Sequence, residues 1–143
     1  MSASYSPALK YFFFQANETC SVYRKSAEPF ELGKRFFGGT TSLAPGARNY
    51  MRALDIRTGK TIWDYEVTGR TQSGTLSTAG GLVFFGDAAG ELTAVDAKSG
   101  ARLWHFNAGQ GWRSSPMTYQ TGGKQFVVIG GPAGFFAFGL GGE

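Results

Sequence analysis

The chain has 143 residues, enough for one modest domain, with 22 glycines, 15% aromatic residues and 17% charged residues. This many aromatic side chains excludes a disordered chain, and the glycines indicate short strands joined by tight turns rather than a helical bundle. The net charge is +4, and the basic residues are scattered rather than clustered, so we expect a solvated surface and no nucleic-acid partner.

The cysteine content and the apolar runs restrict the chain further. One cysteine, Cys20, excludes an intrachain disulfide framework and any cysteine-based metal cluster. No apolar run reaches the length of a transmembrane helix. Residues 1–10 lack the basic start and the apolar core of a signal peptide, so this chain taken alone would stay in the cytoplasm.

The N-terminal segment contains predicted strands separated by a long interruption. Tyr11–Gln15 is predicted as the inner strand of a four-stranded sheet, and Tyr50–Leu54 as its third strand. Asn17–Asn49, which lies between them, is predicted as an irregular stretch, and loops of such length usually carry function or local structure. Thr61–Val67 follows as the next strand of the same sheet.

The middle segment predicts a complete four-stranded sheet, and the last segment predicts three strands only. The four strands of the complete sheet are Gly74–Thr78, Leu82–Gly86, Glu91–Val95 and Arg102–Asn107. The final three are Ser114–Tyr119, Gln125–Gly130 and Phe135–Phe138. Helix is not expected to any substantial extent.

An internal repeat gives the fold class. The segment Ala53–Trp63 is echoed by Ala94–Trp104 at an offset of 41 residues, with Ala, Asp, Gly and Trp recurring in place. This period is typical of β-propeller blades of four strands each. We therefore predict an all-β fold of about three antiparallel blades: residues 1–70 with the long insertion, 71–110 as a complete blade, and 111–143 as a blade without its outer strand.

The repeated residues have structural roles in this interpretation. Asp55 and Asp96 are predicted to form turns with the glycine that follows, which is a better explanation than a catalytic pair of carboxylates. Trp63 and Trp104 are predicted to pack against neighbouring turns and to donate their indole N–H to a backbone carbonyl of the next blade. His105, the only histidine, lies on an outer strand, where a surface role outweighs catalysis.

The motifs around the repeat resemble a known family. The Ala-x-Asp-x-x-Thr-Gly-x-x-x-Trp element of Ala53–Trp63 resembles the tryptophan-docking motif of the pyrroloquinoline-quinone (PQQ)-dependent alcohol dehydrogenases. Gly74–Asp87 resembles the penultimate blade of these quinoproteins, and Ser115–Tyr119 resembles their last blade. Asn17–Cys20, followed by Phe37–Gly39, fits the blade before. From about residue 11 onward, the chain is thus similar to the C-terminal three blades of an eight-bladed quinoprotein propeller.

The resemblance implies cofactors, partners and a location for the parent enzyme. Members of this family hold PQQ and a calcium or lanthanide ion near the propeller axis, oxidise alcohols in the periplasm or at the membrane, and pass electrons to a cytochrome or a quinone. Their metal ligands and catalytic residues lie in earlier blades, so no catalytic or metal-binding residue is expected in this chain. The isolated chain is expected to be inactive and to bind PQQ weakly, or to bind no cofactor at all.

Two cofactor-binding candidates can be carried over from the resemblance. The family has an asparagine, shortly before a cysteine, that hydrogen-bonds the quinone region of PQQ, and Asn17 is the matching position. The alternative is an asparagine that caps the end of a strand. Gln72 stands where methanol dehydrogenases have a tryptophan near the cofactor, and its amide could donate to a carboxylate. Trp112 and Arg113 could line the central funnel, although a structural loop role explains them as well.

Two functions remain open at this point. The first is a segment of a PQQ-dependent oxidoreductase, and the second is a non-catalytic propeller module for protein interaction or assembly, because a propeller alone does not determine function. Three blades cannot close an eightfold ring, so the end blades would expose strand edges and apolar faces. We therefore expect either a homo-oligomer or pairing with the remaining blades of the propeller.

Overall fold

The computed structural model describes residues 2–70 and 72–139, and these form strands and no helix. The all-β prediction is confirmed. The strands are β1 (Ser4–Ser6), β2 (Tyr11–Glu18), β3 (Ser21–Lys25), β4 (Gly39–Leu43), β5 (Arg48–Asp55), β6 (Thr61–Glu66), β7 (Thr75–Ser77), β8 (Leu82–Gly86), β9 (Glu91–Asp96), β10 (Arg102–Asn107), β11 (Met117–Thr121), β12 (Lys124–Gly131) and β13 (Gly134–Gly139). The chain divides into two compact units, one of residues 17–48 and one of the residues before and after that segment.

The first blade is the four-stranded sheet β1-β2-β5-β6. Its inner strand is Ser4–Ser6, which pairs antiparallel with β2 from Ser4 opposite Phe13 to Ser6 opposite Tyr11. The prediction that Tyr11–Gln15 is the inner strand was therefore wrong, because this segment is the second strand of the blade. Ser4–Ser6 is short and polar and shows no alternation of apolar residues, so its sequence does not indicate a strand. Only its pairing with β2 in the structure identifies it as one.

The second blade is the four-stranded sheet β10-β9-β8-β7, with the strands in sequence order. All four predicted strands are present, within a few residues of the predicted bounds. The β9–β10 pairing contains a register shift between Arg102 and Trp104, and the β5–β6 pairing contains one between Ala53 and Leu54. Both shifts fall in the repeated segment, so the two blades share this irregularity as well as their sequence.

The third blade is the sheet β11-β12-β13, which has three strands among the described residues. β11 and β12 pair from Met117 opposite Val128 to Thr121 opposite Lys124. β13 continues the sheet, with Gly134 opposite Gly131 at the connecting turn. Residues 140–143 lie outside the described part of the chain.

The unit of residues 17–48 contains a two-stranded hairpin where the sequence predicts an irregular stretch. β3 and β4 pair antiparallel from Ser21 opposite Leu43 to Lys25 opposite Gly39. Gly39 is required there, because a Cβ at this position would overlap the backbone carbonyl of Arg24. Both strands are exposed on nearly all sides, so they lack the apolar alternation by which strands are recognised in a sequence.

The core of the larger unit lies between blades, in two clusters. The first cluster joins Phe13, Met51, Ala53 and Trp63 of the first blade to Val83, Phe85, Val95 and Ala97 of the second. The second cluster contains Leu92, Trp112 and Ile129, with Phe106, Phe136 and Phe138 packed against it. Each blade thus buries one face against the next, and blade-to-blade packing supplies most of the buried apolar surface.

Candidate cofactor site

Trp63 joins the first blade to the second. Its indole N–H donates to the backbone carbonyl of Ala97 at 3.1 Å. The ring lies over Gly100, where a Cβ would come within 2.7 Å of the indole. Gly100 has a φ of +74°, a left-handed conformation that glycine adopts without strain. The predicted structural role of Trp63 is confirmed.

The repeated aspartates, Asp55 and Asp96, stabilise the turns of the repeated segment. The Asp96 carboxylate accepts hydrogen bonds from the Ser99 hydroxyl, which is the main cause of its lowered pKa, and from the backbone N–H groups of Ser99 and Lys98, which lower the pKa further. The Asp55 carboxylate accepts from the backbone N–H and the side chain of Arg57. The Arg57 side chain, the main cause, lowers the pKa of Asp55 from 3.8 to about 2. Both aspartates form turns, as predicted.

Trp104 and Trp112 belong to the junction of the second and third blades. Trp104 is 39% exposed and meets the ring of Phe138 edge-on, with 5.2 Å between centroids. Trp112 is 1% exposed and donates its indole N–H to the carbonyl of Gly90 at 2.9 Å. A Cβ at Gly86 would lie 2.6 Å from Trp112, so the glycine makes room for the indole. Of the two alternatives for Trp112, the structural role is the correct one.

Two serines, 41 residues apart, fix the polypeptide just before the inner strands of the second and third blades. The Ser73 hydroxyl donates to the carbonyl of Ser114 at 2.9 Å and accepts from the N–H of Gly86 at 3.2 Å. The Ser114 hydroxyl accepts from the N–H of Gly130 at 2.6 Å and donates to the carbonyl of the same residue. Gln72 and Arg113 precede these serines by one residue, and both are exposed.

Gln15 and Asn49 are polar groups in the first blade that the sequence interpretation missed. Gln15 donates its amide nitrogen to the carbonyl of Gly86 at 2.9 Å. Its amide oxygen and that of Asn49 are buried and have no hydrogen-bond partner among the described residues. The sequence feature that could have indicated this buried polar group is Gln15 itself, which lies two residues from Phe13 on the same face of an otherwise aromatic strand.

Asn17 lies near the end of β2 and is half-buried. Its side-chain oxygen is buried without a hydrogen-bond partner in the described part of the chain. Such an oxygen costs free energy unless a donor reaches it, so this atom fits a ligand that donates a hydrogen bond. Cys20, three residues later, is exposed, and its carbonyl accepts from the N–H of Ala44.

His105 takes part in a surface cluster on the second blade. Its Nδ1 lies 2.8 Å from one carboxylate oxygen of Glu91, and the Asn107 amide donates to the other oxygen at 2.7 Å. The hydrogen bond from Asn107, which is the larger cause, and the one with His105 lower the pKa of Glu91.

The described residues hold no group of three or more His, Cys, Asp or Glu side chains that could bind a metal ion. None of the described segments is a helix long and apolar enough to span a membrane.

Consecutive antiparallel blades, joined by a tryptophan that lies over a glycine turn, define the class of a β-propeller with quinoprotein-type repeats. The family model for the glucose/ethanol/alcohol dehydrogenase β-propeller domain, the PQQ family, matches residues 66–127. This segment is therefore similar to part of the PQQ-family propeller domain, and the resemblance seen in the sequence is confirmed.

Individual relatives extend the similarity over most of the chain. Methanol dehydrogenase (cytochrome c) subunit 1 of Methylobacterium organophilum is 35% identical over 135 residues, which cover 88% of this chain and 22% of the relative. Quinohemoprotein alcohol dehydrogenase ADH IIB of Pseudomonas putida is 34% identical over 148 residues, which cover 99% of this chain and 21% of the relative. The chain thus spans about a fifth of the length of these relatives.

A solved structure supports the same fold. A europium-containing methanol dehydrogenase superposes with a TM-score of 0.77 at 27% identity, covering 89% of this chain and 23% of its own. The chain is therefore similar, in sequence and in structure, to part of the propeller of PQQ-dependent alcohol and methanol dehydrogenases.

Proposed function

We propose that the chain is the C-terminal propeller segment of a PQQ-dependent alcohol dehydrogenase-like oxidoreductase and is inactive alone. The observation that carries this proposal is the junction of Trp63 with Ala97 and Gly100, within a chain similar to quinoprotein dehydrogenases over most of its length. The junction joins two successive blades, as expected within a longer propeller. The remaining blades of that propeller would complete the enzyme. PQQ, when bound, supplies the redox chemistry by taking up the electrons and protons removed from an alcohol.

Asn17 is the residue of this chain that we propose to hold PQQ. Support comes from its buried side-chain oxygen, which has no hydrogen-bond partner among the described residues. The amide can accept through this oxygen and donate through its nitrogen, which suits a cofactor that carries an N–H as well as carbonyl and carboxylate oxygens. Gln72 is proposed as a second, weaker contact, because it is exposed and its side-chain amide can donate to a carboxylate.

The metal and the electron acceptor are proposed to come from outside this segment. The parent enzyme would use calcium or a lanthanide, held by residues beyond the described ones, and would pass electrons to a cytochrome or a quinone. We propose the periplasm as the location of that enzyme, by similarity to its relatives. The residues of this chain would position the cofactor through Asn17 and keep the blades rigid through Trp63 and Trp112.

A chimera tests this proposal. In the large subunit of a methanol dehydrogenase, the matched fifth of the chain is replaced by this chain, and PQQ content and alcohol-dependent dye reduction are measured. We expect the chimera to retain PQQ and to oxidise alcohol, and Asn17→Ala to lower PQQ retention by about tenfold, the loss of one hydrogen bond to a buried ligand.

Two comparisons make the chimera decisive. Asn107→Ala, which removes a surface amide far along the chain, serves as the matched control and should leave PQQ content unchanged. A folded chimera that holds no PQQ would favour the alternative function, a non-catalytic propeller module. A chimera that keeps PQQ equally well with Asn17→Ala would retain the proposed function but exclude Asn17 from the site.

A further inference from the structure

Two side-chain oxygens in the first blade are buried without a hydrogen-bond donor. Gln15 and Asn49 are each 9% exposed, and neither amide oxygen has a partner among the described residues. Gln15 donates its amide nitrogen to the carbonyl of Gly86 at 2.9 Å, which fixes the orientation of the amide and leaves its oxygen as the unused acceptor. Such an oxygen costs free energy unless a donor or a cation reaches it, so both positions indicate a ligand.

The two amides lie at the same end of one sheet face. β2 and β5 are neighbours in the first blade, and the N–H of Ile56 donates to the carbonyl of Lys10. This bond joins the residue before β2 to the residue after β5, so the two strands run antiparallel and the end of β2 lies beside the start of β5. Gln15 and Asn49 each lie two residues from a member of the first core cluster in their own strand, so both belong to the face that packs on the second blade.

The second blade brings a carboxylate to the same place. Asp87 directly follows Gly86, whose carbonyl accepts from Gln15. The N–H of Thr68 donates to Asp87 Oδ2 at 3.3 Å, and the N–H of the residue before Thr68 donates to the carbonyl of Asn49 at 2.9 Å. The carboxylate and the two amides therefore belong to one polar cluster at the junction of the first and second blades.

The carboxylate of Asp87 is a buried charge without a cationic partner among the described residues. Asp87 is 5% exposed, and the ion pairs formed in the described part of the chain do not involve it. Its Oδ1 accepts from the backbone N–H of Ala89 and Glu91, and its Oδ2 accepts from that of Thr68. A carboxylate has about four acceptor sites, so Oδ2 can take one more partner. Buried charges are stable when they are paired or coordinate a metal ion.

We infer that Gln15 Oε1, Asn49 Oδ1 and Asp87 Oδ2 form a binding site for a hard metal cation, of the kind of Ca²⁺ or Na⁺. Amide and carboxylate oxygens are the ligands that such an ion takes from a protein, and water molecules complete its coordination. One cation accounts for both observations, because it satisfies the two amide oxygens and balances the buried charge. The proposed function takes the metal of the parent enzyme from residues outside this segment, so this site goes beyond that function and its test needs no PQQ.

Cation titrations of the full chain test this site. The protein is freed of metal with a chelator and exchanged into tetramethylammonium chloride. CaCl₂ and NaCl are then added in separate titrations, while the melting temperature and the heat of binding are measured. We expect a saturable rise of the melting temperature with at least one of the two ions, because a ligand that binds only the folded chain stabilises it. Further tetramethylammonium, which is too large for the site, should give no such rise.

Matched variants assign the binding to these residues. Gln15→Met removes the amide oxygen at nearly constant volume and should weaken cation binding by about tenfold. Gln120→Met, the same change at an exposed glutamine on β11, should leave the binding unchanged. Asn49→Asp places a second negative charge near Asp87, so it should lower the melting temperature without the cation and tighten cation binding by about tenfold.

Other results would overturn the inference. A melting temperature that responds to CaCl₂ and NaCl no more than to tetramethylammonium chloride would mean that water alone meets the two amide oxygens. Equal cation binding by the wild-type chain and by Gln15→Met would place the ion elsewhere. If Gln15→Met does not fold, Asn49→Asp decides the question, because a variant that binds the cation no more tightly than the wild-type chain would exclude the site.

Discussion

The ring of Trp63 lies over Gly100, and the indole N–H reaches the carbonyl of Ala97 at 3.1 Å. This contact joins two blades through one side chain and one turn. It also explains the sequence repeat, because tryptophan, the turn aspartate and the turn glycine are needed together.

Trp63→Phe is expected to destabilise the chain by about 1–3 kcal/mol, because the buried carbonyl of Ala97 loses its donor. Urea unfolding followed by circular dichroism measures the change. Trp104→Phe is the matched control, and its cost should be well below that of Trp63→Phe because Trp104 is half-exposed. Equal costs for the two substitutions would contradict the role assigned to Trp63.

Gly100→Ala and Gly59→Ala form a pair that separates backbone strain from docking. Both glycines have a positive φ, so alanine costs about 1–2 kcal/mol at either position. At Gly100 the new Cβ would also lie 2.7 Å from Trp63, and this overlap adds about 1–3 kcal/mol. We expect thermal unfolding to show a clearly larger loss for Gly100→Ala, and equal losses would mean that the indole is not held against the turn.

The stability of the first blade should depend on pH through Asp55. Because its pKa is lowered from 3.8 to about 2 in the folded chain, the unfolded chain binds the proton more tightly. The stabilisation is therefore complete above a pH of about 4 and is lost as the pH falls toward about 2. Asp55→Asn should flatten this part of the stability profile, measured by urea unfolding at a series of pH values. An unchanged acid profile in this variant would contradict the assignment.

The isolated chain is expected to self-associate through its third blade. The edge strand β13 and the exposed side chains of Met117, Tyr119 and Phe135 leave an apolar surface there. Light scattering at micromolar concentration should give a mass above that of a monomer, and Phe135→Lys should lower it. A monodisperse monomer would contradict this prediction.

The repeat and its spacing allowed much of the architecture to be predicted from the sequence. The second blade has short turns and apolar, largely buried central strands, so all four of its strands were predicted. The inner strand Ser4–Ser6 was missed because its register depends on Phe12 and Phe13 of the neighbouring strand rather than on its own residues. The hairpin of β3 and β4 was missed because neither strand buries a face.

The candidate site was less predictable than the fold. Asn17 and Gln72 are predicted from the family resemblance alone, and no local sequence pattern marks either residue. The buried amide oxygens of Gln15 and Asn49 become visible only when the burial of each atom and its hydrogen-bond partners are known. A polar residue within an aromatic strand indicates a special environment, but the sequence does not reveal which groups are left without a donor.

The most direct test of the central claim is a calorimetric titration of the isolated chain with PQQ and calcium, combined with an assay of alcohol oxidation. If the chain is a segment that needs further blades to complete its site, binding will be weaker than micromolar and no alcohol will be oxidised. Sub-micromolar binding of PQQ, or alcohol oxidation by the chain alone, would contradict the account.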